Sequence, residues 1–220
     1  MTQHTDTLDA ARPRSPLPAH DGPPLWLPMR TLNASHREVV QSHLLALDKR
    51  DRALRFAHAA SDEQICQYVA QIDFVHDEVF GVFDRRLRLV AMAHLAFESD
   101  GLTAEFGVSV LPHVRGRGFG ARLFDHAVMH ARNRGVSTLV LYVARENDAM
   151  LGIVRRAGAQ LSFEGSEATA RLPLVADTLG SKVEAVLEAH AAEFDYQLKM
   201  HVLRLDRLWP TRSAPHPLDG

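Results

Sequence analysis

The segment Val108–Phe124, VSVLPHVRGRGFGARLF, sets three glycines at alternate positions around two arginines: Arg115, Gly116, Arg117, Gly118, Phe119, Gly120. That spacing suits an anion. A glycine backbone can approach a ligand closely and adopt φ > 0 at little cost. A helix beginning at about Arg117 or Gly118 would aim its free N–H groups and the positive end of its dipole into the loop. Phosphate or pyrophosphate is the natural guest. Farther on, Asn147 stands at the start of another predicted helix, where an amide side chain either caps the helix or reaches a ligand.

The composition excludes several classes. The chain has 220 residues, 46% hydrophobic and 24% charged, as expected of a soluble globular protein with one domain and extensions. A net charge of -2 gives no basic field for nucleic acid or an acidic membrane. The single cysteine, Cys66, excludes an internal disulfide and a Cys-rich zinc site, and the 13 histidines show no ligand spacing, so no metal is expected. Cys66 falls on an amphipathic helical pattern and reads as packing. No apolar run reaches the ~18 residues of a membrane span. The N-terminus lacks a basic-then-apolar leader, and a cytoplasmic protein is the expectation.

The elements around the glycine loop follow from periodicity. Residues 1–24 are polar and proline-rich and read as a disordered tail. A strand is predicted over Leu27–Leu32. Ser35 with Glu38 and Ser61 with Gln64 form two capping boxes, each opening a helix. The arginine-rich stretch between those helices (Lys49, Arg50, Arg52, Arg55) reads as a solvated loop or as pocket lining. The period then shortens: Val79–Phe83, Leu87–Phe97 and Thr103–Leu111 read as three antiparallel strands turning at Asp84–Arg86 and at Asp100-Gly101. The helix after the glycine loop stops at Gly135. Thr138–Val143 is a buried central strand, Asn147–Ala157 a short helix ended at Gly158, and Gln160–Glu164 and Ala168–Leu174 two last strands. From Ser181 to Trp209 the apolar spacing predicts one amphipathic helix of about 29 residues, roughly 43 Å long. It either covers its own domain or makes a dimer contact. The domain therefore spans 25–174, with the helical extension over 175–209 and a fraying end over 210–220.

Three readings of the glycine loop compete. It could be a turn that binds nothing. Gly116-x-Gly118-x-x-Ala121, with Glu146 at the end of the next strand, also fits a dinucleotide fingerprint and hence an oxidoreductase. Against that, Pro112, His113, Val114 and Arg115 separate strand from glycines, and three antiparallel strands come first. The third reading is a resemblance. Strand, Pro112, then Arg115-Gly116-Arg117-Gly118-Phe119-Gly120 resembles the acyl-CoA signature of the GNAT N-acetyltransferase superfamily, (Arg or Gln)-x-x-Gly-x-(Gly or Ala), and the element order over Leu25–Leu174 matches.

The resemblance implies an α/β GNAT fold: a mixed, mostly antiparallel sheet splayed at its central strands and flanked by helices. It implies acetyl-CoA as co-substrate and acetyl transfer to a primary amine on a small molecule or a protein. Arg115, Gly116, Arg117, Gly118, Phe119 and Gly120 would hold the pyrophosphate. A bulge would splay the preceding strand, freeing Val108 N–H for the thioester carbonyl and Val110 for the pantetheine arm. Asn147 would contact the same arm.

One family feature is missing. Where many GNAT enzymes place a tyrosine that protonates the leaving thiolate, this chain has Val154. Water or Tyr142 would have to serve. Loss of the acid also keeps open a binding module that senses acyl-CoA without turnover. An amine with a pKa near 10.4 must lose a proton before attack at pH 7, so a base is needed. Glu105 is the first candidate, then His113 and His94. Val154, the Asn147-x-x-Met150 start and Gly158-Ala159 resemble GNAT domains joined to acyl-CoA synthetase-like modules, which suggests a protein or peptide lysine as acceptor.

Overall fold

The computed structural model describes residues 28–174. The tail expected over residues 1–24, and the amphipathic helix and dimer contact expected over residues 181–209, lie outside the described residues.

Seven strands form one sheet in the order β1-β2-β3-β4-β5-β7-β6. β1 (Met29–Leu32), β2 (Glu78–Phe83), β3 (Leu89–Phe97) and β4 (Thr103–Val110) are successive antiparallel neighbours. β5 (Thr138–Ala144) is parallel to β4, β7 (Glu167–Pro173) lies antiparallel to β5, and β6 (Gln160–Glu164) lies antiparallel to β7 at the edge. Strand alternation sorts the core into two layers. Phe80, Val82, Ala104 and Phe106 face α4 (Phe119–Asn133) and α5 (Asp148–Arg156). Val79, Phe83, Leu89 and Met92 face α1 (Arg37–Leu45) and α3 (Asp62–Gln71). α4 buries Leu123, Phe124, Ala127 and Ala131 in a helical stripe. Burying each large side chain of that stripe contributes about 1.5–3 kcal/mol.

Two local expectations change. The first capping box is not Ser35 with Glu38. Asn33 accepts from Ser35 N–H, and His36 returns to the Asn33 amide, so a single 3-10 turn (Ala34–His36) precedes α1. The arginine-rich stretch is no loop but a helix, α2 (Lys49–Phe56), capped by Asp48, whose carboxylate accepts from Asp51 N–H at 2.8 Å. Arg52 fixes it by donating to the carbonyls of Leu45, Leu47 and Ala60. The second capping box, Ser61 with Gln64, is present.

His43 ties α1 to the sheet. Its Nδ1 lies 2.9 Å from Leu89 O and its Nε2 2.8 Å from Ser109 Oγ. Burial pushes its pKa down from 6.5 to about 4, with the Leu89 carbonyl opposing and the Arg55 charge adding to the shift. The folded protein therefore favours neutral His43, while the unfolded chain protonates at 6.5. Its contribution is full above about pH 6.5 and is lost as pH falls toward 4. At pH 5 the loss is about 2 kcal/mol. Denaturant unfolding at pH 7 and pH 5 checks this: His43→Gln should lose less stability on acidification than the wild type. An equal loss, with the His43 resonance titrating near 6.5, would contradict it.

Candidate active site

β4 and β5 pair only at Thr103, Ala104 and Glu105, opposite Thr138, Leu139 and Val140. Beyond Glu105 they diverge and open a V. The divergence needs no bulge in β4, contrary to expectation: the β3–β4 register runs unbroken from Phe97↔Ala104 to Ala91↔Val110. Parity then fixes which backbone groups face the gap. Leu111 N–H donates to Val90 O, and Thr103 O accepts from Glu98 N–H, both on the β3 side. Residues of the other parity, Val108 and Val110, therefore point their N–H and C=O groups toward β5.

The glycine loop closes the V at its far end. Leu111 leads into a 3-10 turn (Pro112–Val114), and α4 begins at Phe119 with Gly118 as its N-cap. Gly116 and Gly118 lie at φ +74° and +78°, where a side chain is strained, and the space where each Cβ would stand is open. Among the described residues no side chain caps α4, so its first amides have no capping partner. These features fit a pyrophosphate. Gly120 sits within the helix at an ordinary φ, and a Cβ there would meet Ile153 and Val110 at 3.9 and 4.0 Å. Phe119 buries its ring in the core and anchors the helix start.

The two arginines separate. Arg117 is exposed. Arg115 turns back: its Nε donates to Val110 O at 3.1 Å and its guanidinium pairs with buried Asp51 of α2 at 2.5 Å. Val110 thus keeps its N–H toward the gap, while its carbonyl is already used.

A cleft of about 320 Å³ occupies the mouth of the V. Glu105, Val108, Tyr142, Asn147 and Arg55 line it. Glu105 and Tyr142 are shared with an adjoining cleft of about 290 Å³, which also holds Glu98, Asp100 and Arg171. Asn147 caps α5, accepting from Met150 N–H at 3.1 Å, and still reaches the cleft. His113 does not: it lines a separate groove with Glu38, His43 and Leu89.

His94 enters through a chain that no local motif announces. Its Nε2 lies 3.0 Å from Asp77 Oδ2, its Nδ1 2.6 Å from Tyr68 Oη, and Tyr68 Oη accepts from Arg55 at 2.7 Å. Arg55 can only donate and an ionised Asp77 can only accept. The proton on His94 therefore sits on Nε2, and Tyr68 donates to Nδ1. Burial pushes Asp77 up, but the hydrogen bonds it accepts from His94 and from the Phe97 amide outweigh it and hold the carboxyl below its usual range. Burial raises the Tyr68 phenol, partly offset by Arg55.

Val154 is fully buried beneath the V and does not line the cleft. Val154→Tyr should therefore overpack the core, lowering stability by about 1–3 kcal/mol without raising turnover. Thermal melts and initial rates check this. A variant that melts normally and turns over faster would mean the tyrosine finds a path to the cleft.

Solved structures share this architecture. The GNAT domain of PAT from S. lividans is 20% identical, with 66% of this chain and 89% of that chain covered and a TM-score of 0.56. A phosphinothricin acetyltransferase from Sinorhizobium meliloti, in complex with AcCoA, is 15% identical, with 67% and 88% covered and a TM-score of 0.52. RimL, a ribosomal-protein alpha-N-acetyltransferase in complex with coenzyme A, is 17% identical, with 70% and 98% covered and a TM-score of 0.53. The family model of the acetyltransferase (GNAT) family matches residues 42–159, more than half of the chain. The match runs from α1 through both walls of the V to the residue before β6, and the chain is a member of the GNAT acetyltransferase family, with acetyl-CoA as its co-substrate.

Proposed function

We propose that this N-acetyltransferase moves the acetyl group directly from acetyl-CoA to a primary amine, with Glu105 as base. The observation that supports it most is that Glu105 stands on β4 where pairing with β5 ends, in the same cleft as Val108. The amides of Phe119, Gly120 and Ala121, with Gly116 and Gly118 shaping the loop, hold the pyrophosphate. Val110 N–H and Asn147 position the pantetheine arm. Val108 N–H donates to the thioester oxygen as charge develops there, help worth about 3 kcal/mol where such donors have been removed. Glu105 takes the amine proton, directly or through one water, as the nitrogen bonds to the carbonyl carbon. The carbon–sulfur bond then breaks, and the sulfur takes a proton from Tyr142 or from water, which reaches this side because Tyr142 is 53% exposed.

The solved relatives act by name on phosphinothricin and on a ribosomal protein. The fold does not choose among amines, and a protein or peptide lysine is one member of the class. Release of free CoA in the presence of an amine panel tests the reading. Acetyl-CoA binding without release on any amine would favour the sensing module instead.

A further inference from the structure

The Arg55 guanidinium occupies a place that a side chain would normally fill. A Cβ on Gly107 would overlap its guanidinium carbon and both terminal nitrogens, so a side chain at 107 would push the guanidinium out of this place. Arg55 lies over the rings of Phe56 and Tyr68, 5.0 and 5.4 Å from their centroids, and Tyr68 is itself pinned through His94 to Asp77. Held from behind, it lines the cleft. Among the described residues its only hydrogen bond is to Tyr68 Oη, its buried Nε has no partner, and no carboxylate pairs with it. The buried acid of α2, Asp51, is taken by Arg115. A half-buried, oriented guanidinium with no carboxylate in pairing distance among the described residues can take an anion.

Its position relative to the proposed base narrows that anion. Glu105 and Gly107 are two apart on β4 and face the same side of the sheet, about 6.6–6.8 Å apart along the strand. Arg55 stands where the Gly107 side chain would be, so an anion site and the proposed base lie side by side in one cleft. A lysine side chain carries its amine far from any backbone carboxylate and leaves Arg55 unmatched. A compact zwitterion matches both groups.

We propose that Arg55 binds a carboxylate on the acceptor, so that the amine acetylated here belongs to a free amino acid whose amino and carboxylate groups are separated by only a few bonds. This rests on the reading of the cleft as the acyl-transfer site. In the transfer the carboxylate stays on Arg55, the nitrogen gains the acetyl carbon and gives its proton to Glu105, and the sulfur leaves with the electrons of the broken bond and is then protonated. Tyr68, His94 and Asp77 are positioning residues: they hold Arg55 and touch no reacting atom.

The test compares free α-amino acids with their carboxamides and with an N-terminally blocked lysine peptide. CoA release is followed, and calorimetry measures amino acid binding to the enzyme–CoA complex. The acid form should exceed its carboxamide in kcat/KM by about 10- to 100-fold, as loss of a charge-assisted pair implies. Arg55→Gln should erase that ratio and weaken amino acid binding while leaving CoA affinity unchanged. Arg55→Lys should restore part of the ratio, having charge without the planar fork. Tyr68→Phe should raise KM for the acid more than it changes kcat. Equal use of acid and carboxamide, preference for the blocked lysine peptide, or an undiminished ratio in Arg55→Gln would each overturn the proposal. Should no amine release CoA, the catalytic reading fails separately, and calorimetry alone decides: Arg55-dependent amino acid binding sustains the carboxylate site, and its absence removes it.

Discussion

Gly118→Val should leave a folded protein whose affinity for acetyl-CoA is lower by about 100-fold or more. Gly118 is the N-cap of α4 at φ +78°, and nothing stands within 4 Å of where its Cβ would be. The isolated protein therefore meets no clash, only the left-handed backbone penalty of about 1–2 kcal/mol, larger for a β-branched residue. The loop either bears that strain with the side chain in the phosphate space, or relaxes and turns the first amides of α4 away. Both routes remove the cradle. Gly135→Val supplies the control, because Gly135 has φ +82° and equally open surroundings at the opposite end of the same helix. It should cost comparable stability and leave acetyl-CoA binding intact. Calorimetry and thermal melts on both variants separate strain from ligand contact. A Gly118→Val protein that binds acetyl-CoA as the wild type does would show that the pyrophosphate lies elsewhere.

Glu105→Gln should lower turnover on the order of 10²-fold with little change in acetyl-CoA affinity, since it keeps shape and hydrogen bonding while removing the basic function. The deficit should shrink as pH rises toward the amine's own pKa, where free amine no longer has to be generated. Rates across pH with wild type and variant check this. Wild-type turnover at pH 7 would remove Glu105 from the mechanism. His113 cannot then take over directly, because it lies in the groove beside α1. His94 reaches the cleft only through Tyr68.

The glycine loop and the strand order were legible because each is written locally. A shift from period 3.6 to period 2, glycines at fixed offsets and the Ser61–Gln64 capping box need no distant information. α2 was missed because Lys49–Phe56 is mostly charged and shows little apolar stripe. Its signal was Asp48 ahead of good helix formers, Arg, Lys, Ala and Leu. The expected bulge was unnecessary because β4 keeps its register with β3 and simply loses β5. Arg115 looked like a phosphate ligand from its place in the loop, but Asp51, far off in sequence, engages it. The chain from Asp77 to Arg55 joins α2, α3, the loop before β2, and β3, and the fit of Arg55 against Gly107 depends on a side chain that Gly107 does not have. Contacts of that kind exist only once the fold has closed.

The short seam between β4 and β5 has a bearing on how long the protein survives. The sheet is a leaf of four strands and a leaf of three, sewn together by three residue pairs. On the proposed reading, acetyl-CoA seated between the leaves would supply bonds that the sheet itself forgoes, as a structural member as well as a reactant. A ligand that binds only the folded form adds about 1.4 kcal/mol of stability for each tenfold rise above its dissociation constant. The level of acetyl-CoA would then set resistance to proteolysis along with reaction rate, and digestion of the protein should slow when acetyl-CoA is added.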